Sequence, residues 1–243
     1  MIDQARAELA PNGVLRAGIN MSNFLLVTGK AANGDPQGVS PDMAAEAARR
    51  LDVQVQYVTY ANPGLVADAS VKNEWDVGNI GAEPERAKTI KFSAAYCEIQ
   101  APYLVPEGSS IHAIEDVDKP GVRIAVAGRS AYHLWLEDNI KHAELVVATG
   151  LDGSLETFLD QKLDVLAGLR PRLIDDVNKV PGSRMLDGQF TAVQQAMGAR
   201  LDCPAGAEFL ASFVEETKAS GFVEELIQKH GVEGRLSVAP PAA

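Results

Sequence analysis

Arginine and small residues keep unusual company in this chain. Arg86, Arg129 and Arg170 each lie in or close behind a loop of small or glycine residues: Asn79-Ile80-Gly81-Ala82-Glu83-Pro84-Glu85-Arg86, Ala127-Gly128-Arg129-Ser130-Ala131 and Gly168-Leu169-Arg170. A guanidinium is a planar fork that can grip a carboxylate through two parallel hydrogen bonds, and glycine lets the backbone approach a ligand closely. Asn20-Met21-Ser22-Asn23-Phe24 has the same makeup, with Asn20 as the planar group. The arrangement suggested is one for binding. A plainer reading of each stays open from the residues alone. Arg86 in Glu85-Arg86-Ala87-Lys88 is also what a solvated surface arginine looks like, Asn79 and Gly81 suit a strand-to-helix turn, Ser130 suits a helix cap, and Phe24 suits a core.

Other chemistries find little support. His112, His133, His142 and His230 are scattered, without HExxH spacing, and Cys97 and Cys203 lack the intervals of a zinc or CxxC site. The two cysteines read as buried thiols, or as one long-range disulfide in an oxidising compartment. There is no GxGxxG, Walker-type or GxSxG motif. Ser130 and His133 stand three apart, but no acid nearby would orient the histidine as a general base. No metal or cofactor is expected.

The loops follow apolar strands. Val14–Ile19, Val53–Val58 and Trp75–Ile80 read as strands, separated by a helix opened by Ser40-Pro41 and running to Leu51, and by a second helix over Pro63–Ala69. Glu83–Lys88 suits a short helix with an acidic start, and Phe92–Val105 is a long apolar passage that suits a crossing between lobes. The pattern restarts with Val122–Ala127, Leu145–Ala148 and Asp164–Gly168 as strands around helices at Ser130–Ile140 and Ser154–Leu163. Thr191–Leu201 reads as a further strand, and helices follow at Ala205–Ala219 and Phe222–His230, divided by Ser220-Gly221. Two βαβαβ units imply an α/β protein with two mostly parallel, helix-flanked sheets, and a cleft between lobes as the natural place for a ligand. The expected first lobe is 1–98 with 191–243 and the second 99–190, with crossing strands near 97–101 and 189–194.

Bulk composition narrows the partners. A net charge of -11 argues against nucleic acid or an anionic membrane surface. Aromatics make up only 6% of the chain, so the interior is expected to be aliphatic, with close helix–sheet contacts. The longest apolar runs, such as Leu145–Thr149, fall far short of the roughly 20 residues that span a bilayer, and a soluble protein is expected. The opening Met1-Ile-Asp-Gln-Ala-Arg-Ala-Glu has no apolar leader segment, which fits either a mature exported chain or a cytoplasmic one.

Trp75-Asp-Val-Gly-Asn-Ile-Gly-Ala-Glu-Pro-Glu-Arg-Ala-Lys-Thr-Ile-Lys-Phe-Ser-Ala-Ala-Tyr96 resembles the strand, glutamate–arginine turn and Phe-Ser-x-x-Tyr passage of the polar amino-acid type of extracytoplasmic solute-binding protein used by ABC importers. Gly121–Ala131, and Glu215–Ser220 with Gly221-Phe222, are similar to two further landmarks of that family, in the same order. The resemblance covers nearly the whole chain and implies a two-lobed, type II periplasmic-binding-protein-like fold that closes around its ligand. It implies that Arg86 grips the ligand carboxylate, with Asn79 and Gly81 beside it, Gly128, Arg129 and Ser130 completing the shell, and Phe24 as an apolar wall. It implies a membrane permease as partner, a monomer, and a periplasmic location for a mature chain.

Departures from the pattern bear on the ligand. Asn20 stands where such receptors place one acid for the ligand ammonium, and Leu169, followed by Arg170, stands where they place another. An ammonium enclosed without a counter-charge costs several kcal/mol, so a small carboxylate, with or without an amine, is the expected solute. Two alternatives share the fold: a cyclohexadienyl-dehydratase-like enzyme, with Glu98 or His133 as general acid, and a ligand-sensing module.

Overall fold

The computed structural model describes residues 2–242. In chain order it holds α1 (Ile2–Leu9), β1 (Val14–Asn20), β2 (Gly29–Lys30), β3 (Pro36–Gln37), α2 (Val39–Arg50), β4 (Gln54–Tyr60), α3 (Pro63–Ser70), β5 (Val77–Gly81), β6 (Ile90–Ala101) and β7 (Tyr103–Val105). There follow β8 (Arg123–Ala127), α4 (Ala131–Asn139), β9 (Glu144–Ala148), α5 (Gly150–Asp160), β10 (Val165–Ala167), α6 (Arg170–Lys179), β11 (Arg184–Met185), β12 (Thr191–Arg200), α7 (Pro204–Ala219), α8 (Phe222–Lys229) and β13 (Ser237–Val238). The chain divides into two compact units, Met1–Glu98 with Gln194–Ala243, and Ile99–Val193.

The first unit is built on a six-stranded sheet of order β13-β6-β12-β5-β1-β4 and the second on a five-stranded sheet of order β11-β7-β10-β8-β9. In the first, β1 pairs parallel with both β4 and β5; in the second, β8 pairs parallel with both β9 and β10. Each βαβαβ run therefore folds the same way, its first strand between its second and third. Both sheets are mixed, because β12 lies antiparallel to β5, and β7 antiparallel to β10 and β11.

Strand β5 is buried at every position, as a strand between two neighbours and under helices must be. Its placement depends on Trp75, fully buried, whose Nε1–H donates to the Val66 carbonyl at 2.8 Å. A Cβ at Gly18 or Gly78 would lie 2.8 or 2.9 Å from that indole, so both strands keep glycine where the ring lies flat on them. At the N-terminal end of β5, buried Asp76 accepts from the Arg16 backbone N–H at 2.9 Å and from Arg16 Nε and Nη2 at 3.0 and 2.7 Å, while Arg200 Nη1 approaches at 3.5 Å.

Several local expectations need correction. Ser40 does not cap α2: the cap is Gly38, at φ 151°, and Ser40 is buried with its N–H on the Leu26 carbonyl. A Cβ at residue 38 would sit 2.1 Å from the Leu26 oxygen, so glycine alone fits and the helix begins at Val39, before the Ser-Pro pair. The crossing expected of Phe92–Val105, by contrast, holds: the passage is β6 of one sheet followed by β7 of the other, broken at Pro102. Glu83–Lys88 forms only a 3-10 turn over Arg86–Lys88, and α5 starts at Gly150 rather than Ser154. Helices α1 and α6 are additions, α6 being opened by Leu169 as cap with Pro171 in its first turn.

Candidate functional site

In the first unit β1 and β5 lie side by side; the chain after β1 goes on to β4 on one side, and the chain after β5 to β6 on the other, with β12 between. The C-terminal ends of such diverging strands are where open α/β sheets bind ligands. Asn20 ends β1; its Oδ1 accepts from the Ser22 N–H at 3.1 Å and from Ser22 Oγ at 2.8 Å, closing an Asx turn. Asn79 lies on β5 opposite Ile19 of β1 and Met197 of β12, 2% exposed, and neither its amide nitrogen nor its amide oxygen has a hydrogen-bond partner among the described residues. A buried amide left in that state costs about 1–3 kcal/mol.

Arg86 lies in the 3-10 turn after β5, 4% exposed, and its Nη1 donates to the Gly81 carbonyl at 2.8 Å. The turn is tied down by Ala87 N–H on the Glu83 carbonyl and by Ala82 N–H on the Gln194 carbonyl, both at hydrogen-bonding distance. Gly81 and Arg86 are thus joined directly, and Asn79 stands two residues before Gly81 on the same strand. Phe24, four residues beyond the end of β1, is half-buried, with the Arg235 guanidinium 5.7 Å from its ring centre.

In the second unit the loop after β8 is held from several sides. Gly128 donates to the Ala148 carbonyl, and a Cβ there would lie 2.9 Å from Val147. Arg129 has φ 62°, the left-handed region, and its backbone N–H donates to His133 Nδ1 at 3.0 Å. Ser130 caps α4, its Oγ accepting from the His133 N–H at 3.1 Å and donating to the Ala127 carbonyl at 2.8 Å. The amides of Ala131 and Tyr132, in the first turn, have no intrahelical acceptor. Arg170 is engaged differently: Nε donates to Gln100 Oε1 and Nη2 to the Gly188 carbonyl, each at 2.5 Å, so its donors tie α6 to neighbouring strands and loop. Leu169 is buried beneath it.

The nominated acids are also engaged. Glu98 accepts from Gln194 Nε2 at 2.8 Å. His133 uses Nδ1 as an acceptor, its Nε2 is buried 3.5 Å from Glu137, and burial lowers its pKa below the ordinary 6.5. Cys97 and Cys203 are buried free thiols; burial pushes Cys97 far up and Cys203 to about 11. Among the described residues there is no group of three or more His, Cys, Asp or Glu able to hold a metal ion, and no helix long and apolar enough to cross a membrane. Gln194, Arg235 and the acceptor role of His133 were not legible in advance, since each acts through a partner distant in sequence or through ring geometry. A separate surface cavity of about 220 Å³ lies against α1 and α7, lined by Ile2, Phe209, Phe213 and Glu216, and contains none of the nominated residues.

Residues 15–233 match the model of the bacterial extracellular solute-binding proteins, family 3. The chain belongs to that family. No curated protein matches it. Among solved structures, it is similar to a putative binding component of an ABC transporter from Wolinella succinogenes complexed with lysine, at TM-score 0.72 and 20% identity over 90% of this chain and 95% of the other. A mutant of ArgBP from T. maritima gives 0.71 and 23% over 94% and 100%. An ancestral amino-acid-binding protein, described as a precursor of cyclohexadienyl dehydratase, gives 0.71 and 21% over 94% and 98%. At these identities the likeness establishes the fold, the two-unit α/β architecture described above.

Proposed function

We propose that this solute-binding protein captures a small carboxylate or amino-acid-like solute for an ABC importer, with Arg86 as the anchor of the carboxylate. The observation that carries the reading is what stands at the end of β5: a buried Asn79 amide without a hydrogen-bond partner among the described residues and, two residues on, the Gly81 carbonyl that fixes the Arg86 guanidinium. A planar cation held rigid at a strand end gives up little rotamer freedom on binding, and that favours a carboxylate over a ligand read by shape alone. Asn20, at the end of the neighbouring β1, is neutral and already turned onto Ser22, so it supplies no acid for an ammonium. The second unit offers the capped start of α4 at Gly128, Arg129 and Ser130 as a further anion-binding element. The family's exported members and the solved ABC-transporter component support a periplasmic protein working with a permease.

A thermal-shift panel of acetate, succinate, glutarate, L-glutamine, L-lysine and L-arginine tests the reading. A ligand at 100 times its dissociation constant stabilises by about 2.7 kcal/mol. The expected result is stabilisation by at least one carboxylate, with loss of at least 100-fold in affinity in Arg86→Met. No shift with any member, or an unchanged affinity in the variant, overturns it.

A further inference from the structure

Arg129 adopts a backbone conformation that arginine does not favour, at φ 62°. Something must hold it there. The start of α4 shows what: Ser130 Oγ accepts the N–H of His133, and His133 Nδ1 accepts the N–H of Arg129. This reciprocal pair is a variant of the capping box, in which the third helical residue reaches back to the N–H of the cap; here it reaches one residue further, to Arg129 before the cap. Glutamate is a common choice at that third position, and it would place a negative charge at the end of the helix that attracts anions. Here the position holds a buried histidine.

We propose that His133 is a positioning residue, a neutral substitute for the capping-box glutamate, which holds the Gly128–Arg129–Ser130 turn in place while leaving the start of α4 free to accept an anionic group. The proposal rests on the reading that this turn takes part in carboxylate capture. It accounts for the tautomer: with Nδ1 accepting, the ring proton sits on Nε2, which faces Glu137 at 3.5 Å on the same helix. Burial lowers the histidine pKa, so the ring stays in the neutral form that can accept. Glu137 is the charged group that acts on it, and Arg172 and Asp176 of α6 act on the adjoining Tyr132. Protonation at acid pH removes the acceptor and releases the turn.

Three variants test this in the full chain: His133→Gln, which keeps a neutral acceptor, His133→Leu, which has none, and His133→Glu, which restores the usual capping box with its charge. Succinate and L-glutamine binding is read by calorimetry, and hydrogen exchange of the Arg129 amide is read by NMR without ligand. The expected result is amide protection kept in Gln and Glu and lost by at least 10-fold in Leu, with affinity within about 3-fold of the parent only in Gln. Affinity of the parent, and not of Gln, should also fall once pH drops well below 6.5, through the lowered pKa of the buried ring. Undiminished amide protection in Leu overturns the proposal. So does an affinity in Glu equal to that of the parent. If no member of the panel above binds the parent chain, the reading of carboxylate capture by this turn fails, and the Arg129 amide still decides whether His133 holds the turn.

Discussion

Replacing Asp76 by Asn should lower the melting temperature by about 6–12 °C. The carboxylate is 3% exposed and takes the Arg16 backbone N–H and Nε on one oxygen, and Arg16 Nη2 with the more distant Arg200 Nη1 on the other. An amide can mimic only one oxygen, so in either orientation its NH₂ faces donors, and at least two charge-assisted bonds are lost. Such bonds contribute about 1.5–3 kcal/mol each. The Arg16 side chain is one-third exposed, at 33%, and recovers part of the loss by turning to water, which leaves about 3 kcal/mol. For a chain of 150–250 residues each kcal/mol corresponds to about 2–4 °C. The assay is thermal unfolding by circular dichroism, with Asp3→Asn, whose side chain is 88% exposed, as a control that should not move. A shift below about 2 °C would refute the reasoning, since it would mean that the ion cluster at the base of β5 contributes no more than neutral contacts.

Gly38→Ala should destabilise by about 3 kcal/mol, because its new methyl would meet the Leu26 carbonyl at 2.1 Å in a backbone conformation that disfavours a side chain; chemical denaturation measures it. Native Cys97 and Cys203 should resist thiol reagents and react at once in denaturant, with Cys97 the slower, and mass spectrometry should find no bond between them. Arg49 and Arg50 hold the Glu46 carboxyl at about 2, below its ordinary 4.5. Its contribution is therefore fully present above pH 4.5 and lost as pH falls toward 2, so stability measured across that window should decline less steeply in Glu46→Gln than in the parent.

The order of strands and helices is legible in this sequence because apolar runs, turn residues and caps alternate at local spacing, and both βαβαβ units appear where those signals repeat. What local spacing does not carry is the partner of each strand end. Ser40-Pro41 looks like a helix start, yet the start is set by a carbonyl of Leu26 that leaves room only for Gly38. Arg170 looks like an anion ligand from its loop, while the contacts of two of its donors, with Gln100 and Gly188, involve groups 70 and 18 residues away. Arg86 and Asn79 are legible as neighbours because a single strand and turn join them. That Asn79 is buried with its amide unpaired follows only from the strands on either side. Ser130 is legible as a cap from its own position, while the bond that His133 returns to Arg129 needs the ring in place.

The chain leaves the first unit after Glu98 and re-enters it at Gln194, and those two side chains are hydrogen-bonded at 2.8 Å. The second unit is in effect an insertion whose two ends are fastened together by its host. A short glycine-containing linker from Glu98 to Gln194 would excise it at little entropic cost, since closing a few residues between ends already in contact asks little of the chain. The product would be a single-sheet protein carrying Asn79, Gly81 and Arg86 on a frame of about 150 residues, with the Asp76 cluster and the Trp75 packing intact. Half a receptor, made as a soluble piece, is a natural scaffold on which to graft a different second half.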